Sequence, residues 1–393
     1  MTALVNPHTP FDVVVIGGGL IGSSAARHLA ENGHRICVVA APEPTDWQAG
    51  SGPFASHYDA GRITRIIAGD PVWAELAIRS TDRYADIEAR SGISFHDPRG
   101  CAWISDDIDD AIAASNDRGG DARLVDPDWL FATTGIRAPH DASLEVALEG
   151  APAGVVDPRA LARAQLTLAE LAGATVIAAP ASAVRERAGG SGVVVDGSFG
   201  EVRARRALVA TGAYAADLAG IDLAVQRLLR TTLRVDLGPA PEMPSLIMHP
   251  VDHDHVNDLY WVPPVRYPDG RVLFKIGCEI VHAPEVDNAA DIDAWFATDG
   301  DPVEAAALLE MTRRLLPTHQ LRSWDTVPCV ITRTPSSYPH LGFVTDAIAV
   351  AIAGNGASAK SCDEIGRLAS TLFDERGWCD AVLDQSLFTP QLR

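Results

Sequence analysis

Apolar positions near the start of the chain follow two rhythms. "FDVVVIGGG" places a continuous apolar run before glycines and reads as a buried strand over Asp12–Ile16. Small and apolar residues then recur at helical spacing as far as Gly33, which stops the helix, and Arg35–Ala40 reads as a second strand. Strand, helix and strand with short joins make a βαβ unit with a right-handed crossover.

Helical periodicity returns over 70–92 and over 155–174, where it feeds a strand at "TVIAAP". A hairpin is expected around 187–204, then a strand ending at Thr211-Gly212. From about 223 to 320 the pattern alternates as in an antiparallel sheet, with proline-rich turns at "GPAPEMP" and "WVPPVRYPDG" and a helix near 301–317. An apolar strand, "AIAVAIAGNG", and a helix, "SCDEIGRLASTLF", follow. There is no internal repeat and no low-complexity tract. The pattern predicts an α/β protein with a discontinuous Rossmann-like nucleotide-binding domain (1–88, 150–222 and 322–393). An antiparallel-sheet substrate domain (89–149 and 223–321) interrupts it.

Gly17, Gly19 and Gly22 form G-x-G-x-x-G between the first strand and helix. Such glycines permit a tight turn, backbone approach to a pyrophosphate, and close helix–strand packing, while the helix N-terminus offers N–H groups to phosphates. One part of the pattern is missing. An acidic residue about 20 positions on should grip the adenosine ribose, but the second strand ends at Ala40. Whether Glu43, three residues later, reaches that far is left open by the sequence.

Composition narrows the classes. At 393 residues two domains are expected, and 47% apolar with 21% charged residues is ordinary for a folded chain. A net charge of −20 opposes binding to nucleic acid or an anionic membrane. No signal-like segment or membrane-length apolar run is read, and six scattered cysteines form no C-x-x-C pair or disulfide framework. A cytoplasmic location is expected. "MHPVDHDHVND" places His253 and His255 on one face of an expected strand, but without a third convergent ligand a solvated acidic turn is the better reading than a metal site.

Six stretches in order, the glycine motif, "SHYDAGRITRII", "VATGAY", "FKIG", "PCVITRTP" and "GNGASAKSCDEIG", resemble the D-amino-acid-oxidase-like flavoenzymes, and within them the monomeric sarcosine oxidase branch. The resemblance spans nearly the whole chain. It implies a bilobal FAD enzyme, working as a monomer, that oxidises a secondary, N-methyl or cyclic amine or amino acid. Hydride passes to the flavin, the imine hydrolyses, and oxygen gives hydrogen peroxide. By position, Cys329 matches the cysteine bonded to the flavin 8-methyl carbon. On its own residues Cys329 reads as core filler. Lys275 matches an oxygen-activating lysine, Lys360 a lysine that holds the substrate carboxylate, and Tyr260 an active-site tyrosine. Arg65 matches an arginine near the flavin ring. Ser56, His57, Thr211, Gly212 and Gly354 fall in stretches that contact the cofactor.

Two departures bear on the substrate. "TRII" is followed by Ala68 where the family has a carboxylate-clamping arginine, and Glu279 stands where a histidine is frequent. Sarcosine is therefore not the expected substrate. A bulkier or more basic amine would use the space at Ala68 and the charge at Glu279, and His253 or His255 could contact it. The stretch after Pro263, "PVRYPDGRVLF", suggests a reshaped entrance. The competing readings are a flavin dehydrogenase with another acceptor, an oxidase of sugar-amine adducts, a NAD-dependent Rossmann protein, and a cofactor-retaining subunit of a larger complex.

Overall fold

The computed structural model describes residues 10–46, 49, 52–141, 143–239 and 242–393. The turn expected over 238–244 lies partly outside these residues. Five parallel strands form the centre of an eight-stranded sheet: Thr175–Ile177, Ile36–Val39, Phe11–Ile16, Gly200–Val209 and Ile348–Ile352, in spatial order. In chain order these are third, second, first, fourth and fifth. The direction of winding therefore reverses between the first and the fourth, and the crevice at such a reversal is where α/β sheets bind nucleotides. Val13–Ile16, Ile36–Val39 and Ile348–Ile352 are buried throughout. Burial on both faces explains why they read as unbroken apolar runs.

The second eight-stranded sheet runs Ser323–Arg333, Gln226–Asp236, Val272–Ile280, Val256–Arg266, Ser245–His249, Cys101–Ser105, Glu145–Glu149, Ala122–Leu124. All neighbours are antiparallel except Ser245–His249 beside Cys101–Ser105. The mixed α/β class expected from the pattern is present. Two details differ. Ser323–Arg333, placed by the boundary at 322 in the nucleotide-binding part, is the edge strand of this antiparallel sheet. Within the expected turn at 261–270, Pro263 and Pro264 lie inside the strand Val256–Arg266, where the register shifts between Val262 and Val265. A bulge leaves residues unpaired, so prolines with no N–H to donate are tolerated there. The turn itself is confined to Tyr267–Gly270, closed by Gly270 N–H to the Tyr267 carbonyl.

Four helices begin with Asp-Pro: Pro71–Thr81, Pro127–Thr134, Pro158–Leu171 and Pro302–Leu315. The aspartate accepts backbone N–H groups of the first turn, and proline sits where no donor is needed.

Helix Leu20–Glu31 packs between Ser358–Thr371 and Pro158–Leu171. A Cβ on Gly366 would lie 2.4 Å from Ser24 Oγ and 2.5 Å from the Ala25 nitrogen, so the helices approach as only glycine allows. Around this crossing Asp363 is fully buried. Its carboxylate accepts from Arg27 (2.6 Å), Gln165 (2.8 Å), Ser24 (3.1 Å) and Arg83. Burial alone would raise the Asp363 pKa, but His28, Arg83 and Arg27 outweigh it and hold it well below the carboxylate range. A depressed pKa stabilises the fold above the unfolded carboxylate value, and that contribution is lost as pH falls through the folded value. Asp363→Asn is expected to cost about 3–5 kcal/mol, the usual penalty for leaving a buried ion pair half-made. Urea unfolding near neutral pH measures it, and an unchanged midpoint contradicts the assignment.

Candidate active site

The glycine turn closes the carboxyl end of the first strand. Gly17 has φ +108°, and a Cβ there would meet the Ala210 carbonyl oxygen at 2.5 Å. A Cβ on Gly22 would lie 2.0 Å from the Gly17 carbonyl oxygen. These two positions seat the helix start against the first and fourth strands at the winding reversal. Gly19 is the N-cap residue and provides no side-chain cap, leaving the first-turn N–H groups to face the crevice. Across it, Thr211 Oγ1 is buried with no hydrogen-bond partner among the described residues, and Gly212 has φ +57°.

A cavity of about 780 Å³ opens from this turn. It is lined by Gly17, Gly19, Ser56, His57, Arg65, Thr211, Gly212, Gly354 and Lys360 on one side. Tyr260, Glu279 and Cys329 line the other. Gly22 and Lys275 do not line it: Gly22 acts through packing, and Lys275 is engaged elsewhere, as described below. Gly354 begins the loop into the helix Ser358–Thr371, and Asn355 (φ +48°) ties that loop to the edge strand through Thr332 and Thr334.

Register explains how the antiparallel sheet supplies its wall. Opposed residues share a face, and so do residues two apart. Asp258 is opposite Glu279, Tyr260 opposite Gly277, and Val262 opposite Lys275. Thr232 is opposite both Gly277 and Val327, and Arg230 is opposite Cys329. One face thus carries Asp258, Tyr260, Lys275, Glu279, Arg230, Cys329 and Arg333, while Leu259, Trp261, Phe274 and Ile276 form the core on the other. Gly277 makes room for the tyrosine ring, since a Cβ there would lie 2.5 Å from Tyr260 Oη.

The charges are mostly paired. Lys275, 1% exposed, donates from Nζ to Asp59 Oδ2 and to the Gly61 carbonyl, each at 2.5 Å. Asp59 also contacts Arg62 and accepts from Tyr267 Oη at 3.2 Å. Burial, and then Arg62, push the Lys275 pKa down. Glu279 pairs with Arg333 and lies 3.9 Å from Arg230. The free anion expected at Glu279 is therefore already neutralised. Lys360 is in the first turn of its helix, with Nζ 3.4 Å from the Trp73 carbonyl and over the Trp73 ring. Burial, with Arg65 adding, lowers its pKa to about 7. Burial likewise lowers the pKa of Arg65, which stacks on Trp103 5.2 Å from its centroid. Burial, with Arg159 and Arg62, pushes His57 down to about 3, so it is neutral beside the glycine turn.

Other expectations change. Ala68 is buried and does not line the cavity, so the space expected at this position is not part of it. His253 and His255 sit in the connection between Ser245–His249 and Val256–Arg266, away from the cavity, with His253 Nδ1 accepting the His255 N–H at 3.1 Å. A strand face does not exist there because the chain must reverse. Among the described residues no three His, Cys, Asp or Glu side chains are arranged to hold a metal ion. Glu43 is bound by Arg159, with oxygens at 2.6 and 2.9 Å. Sequence reasoning missed Asp258, Arg333 and Arg62, all of which line the cavity, and Asp59, the partner of Lys275. The alternation of "VNDLYWV", which puts Asp258 in phase with Tyr260, was the available signal for the first of these.

A nucleotide-type sheet and an antiparallel sheet enclosing one cavity at the winding reversal define a dinucleotide-dependent enzyme fold. A family model described as FAD dependent oxidoreductase (DAO) matches residues 12–372, and the chain belongs to that family. Monomeric sarcosine oxidase of Streptomyces avermitilis is 28% identical over 173 residues, and the match covers 42% of this chain and 42% of that protein. The match thus spans less than half the length of that relative. In fold, the chain is similar to NikD, described as an unusual amino acid oxidase essential for nikkomycin biosynthesis. That structure has 22% identity and a TM-score of 0.76, with 98% of each chain covered. Glycine oxidase from Geobacillus kaustophilus has 20% identity and a TM-score of 0.71, with 97% of this chain and 98% of that one covered.

The residues present fit FAD. Uncapped N–H groups, the buried unpartnered Thr211 hydroxyl and the close-packed Gly17 and Gly22 offer what a pyrophosphate at a helix start requires. Gly22→Ala is expected to cut bound FAD at least about tenfold. The flavin absorbance of the purified protein reports it, and full flavin loading would sink this placement.

Proposed function

We propose that the protein oxidises a secondary, N-methyl or cyclic amine, most simply an amino acid, at the C–H next to nitrogen. The products are an imine and hydrogen peroxide. The observation that carries this reading is that one cavity beside the glycine turn is lined by Lys360 and Arg65 together with Tyr260 and Cys329 of the sheet wall. The parallel-sheet part holds FAD and the antiparallel sheet holds the amine. When bound, FAD supplies the two-electron acceptor for the hydride.

The chain's own groups do the rest. Lys360 and Arg65 hold a substrate carboxylate, a pairing that favours the charged form of a lysine whose pKa burial has lowered to about 7. Tyr260, kept in its phenol form by burial, covers the substrate and donates a hydrogen bond. Cys329 anchors the flavin through a thioether. Position 68 carries no arginine, and Arg62 and Arg333 are engaged by Asp59 and Glu279, so a carboxylate relies on Lys360 and Arg65, and sarcosine, which offers little else to bind, is a poor substrate. Acid precipitation of the purified protein should leave the yellow colour in the pellet, and Cys329→Ala should release it. Colour in the wild-type supernatant removes the thioether. Turnover of sarcosine equal to that of larger N-methyl or cyclic amino acids removes the substrate assignment.

A second reading has one observation in its favour. Superoxide is stabilised by a fixed cation, and Lys275 is already matched by Asp59. A dehydrogenase with an acceptor other than oxygen fits that pairing. Stopped-flow reoxidation of the reduced protein by air separates the two. As an oxidase, the wild type reoxidises fast and Lys275→Met slows it at least about tenfold. As a dehydrogenase, air is slow for both and an artificial dye is fast.

A further inference from the structure

Among the described residues, the sheet wall carries one carboxylate whose charge nothing in contact with it cancels. Glu279 is matched by Arg333 and approached by Arg230. Asp59 is matched by Lys275 and Arg62. Asp258, which also lines the cavity, forms no ion pair among the described residues: its Oδ1 accepts the Glu279 backbone N–H at 2.7 Å. It shares the strand and the face of Tyr260, two residues away, and is opposite Glu279 in register.

We propose that Asp258 is the amine site: its carboxylate pairs with the substrate ammonium and takes the proton that must leave nitrogen before hydride transfer. This rests on the amine-oxidising reading above and adds to it the form in which the amine arrives. An N–H bond breaks and a carboxyl O–H bond forms. The electron pair stays on nitrogen, where it supports departure of hydride from the neighbouring carbon, so no oxidant is consumed in this step. Asp258 and the Lys360–Arg65 pair then recognise the two ends of a zwitterion, which makes an amino acid, rather than a simple amine, the substrate class.

The surroundings give Asp258 the character of a base. Burial, and then Glu279, raise its pKa. The charged or titratable groups facing it are Glu279 from the opposed strand, His249 from the strand on its other side, Arg333 from the edge strand, and Arg65 from the loop after Arg62–Thr64. Cys278 and Tyr260 stay protonated because burial raises both. A protonated Asp258 neither pairs with an ammonium nor accepts its proton. The kcat/KM profile is therefore expected to fall as pH drops through a value above the ordinary carboxylate range.

Asp258→Asn keeps an oxygen for the Glu279 N–H and removes only the charge. Two probes with the same ring and carboxylate test it on the FAD-loaded protein: proline, which carries the ammonium, and tetrahydrofuran-2-carboxylate, which does not. Binding is followed anaerobically, by perturbation of the flavin absorbance for the ether and by rapid-mixing amplitude for proline. Wild type should bind proline at least about tenfold tighter than the ether, and Asp258→Asn should abolish that difference while the ether still binds. The variant should also lose the acidic limb of kcat/KM, and Asp258→Glu should restore part of it. Equal binding of both probes by wild type, or an unchanged acidic limb in Asp258→Asn at full flavin loading, overturns the role of Asp258 and leaves amine oxidation standing. Failure of both acids to bind overturns the amino-acid reading as well.

Discussion

The site depends on two distant parts of the chain being held in contact, at the crossing of helices Leu20–Glu31 and Ser358–Thr371. The first helix fixes the glycine turn, and the other fixes Lys360 and the Gly354–Ala357 loop. Both line one cavity only because Gly366 lets Ser24 and Ala25 come within van der Waals distance. Close approach alone would leave this crossing free to slide, since small residues give little directional preference. Asp363 removes that freedom by binding Arg27 on one helix and Arg83 on the segment before Tyr84–Ser91. A buried carboxylate that loses either partner is far costlier than a lost apolar contact, so the angle between the helices is specified by charge as well as by shape.

Charge pairing is also the organising feature of the sheet wall. Two unit charges about 4 Å apart interact by about 4 kcal/mol at the effective dielectric near a protein surface, far more than typical hydrogen bonds contribute net. A lysine and an arginine sharing one aspartate are therefore restrained in place. Lys275 and Arg62 converge on Asp59 in this way, and the strand Val272–Ile280 is tied to the loop that precedes Arg62–Thr64. The pairing positions the cation and reduces its field at the same point. Any account of oxygen reactivity in this protein has to begin from that compromise rather than from a bare lysine.

Much of the fold was legible because it rests on short-range pattern. Unbroken apolar runs marked the buried parallel strands, glycine spacing marked the turn, and helical periodicity marked the helices Pro71–Thr81 and Pro158–Leu171. Pro263 and Pro264 misled because proline is read as a turn unless the bulge that admits it is known, and a bulge is visible only once the partner strand is placed. Ser323–Arg333 was assigned to the wrong side for a similar reason: its partner Gln226–Asp236 lies about a hundred residues earlier, a separation that periodicity cannot see. The site residues divide the same way. The Lys275 and Glu279 positions came from motif resemblance, as did Cys329, Tyr260 and Lys360, whereas the partners that set the electrostatics of the first two, Asp59 for Lys275 and Arg333 for Glu279, are 216 and 54 residues away.

That division matters most for Glu279. Read alone, a carboxylate replacing a frequent histidine implies a cavity that has gained an anion. In the folded protein Arg333 reaches it from the edge strand, four residues beyond Cys329 on the same face, and the gain disappears. The carboxylate with no ion-pair partner among the described residues lies one strand across, at Asp258, which is in register with Glu279 and bonded to its backbone N–H. The charge at Glu279 is thus a property of three residues in space, Glu279, Arg333 and Asp258. What this wall presents to the cavity follows from all three side chains together, not from Glu279 alone.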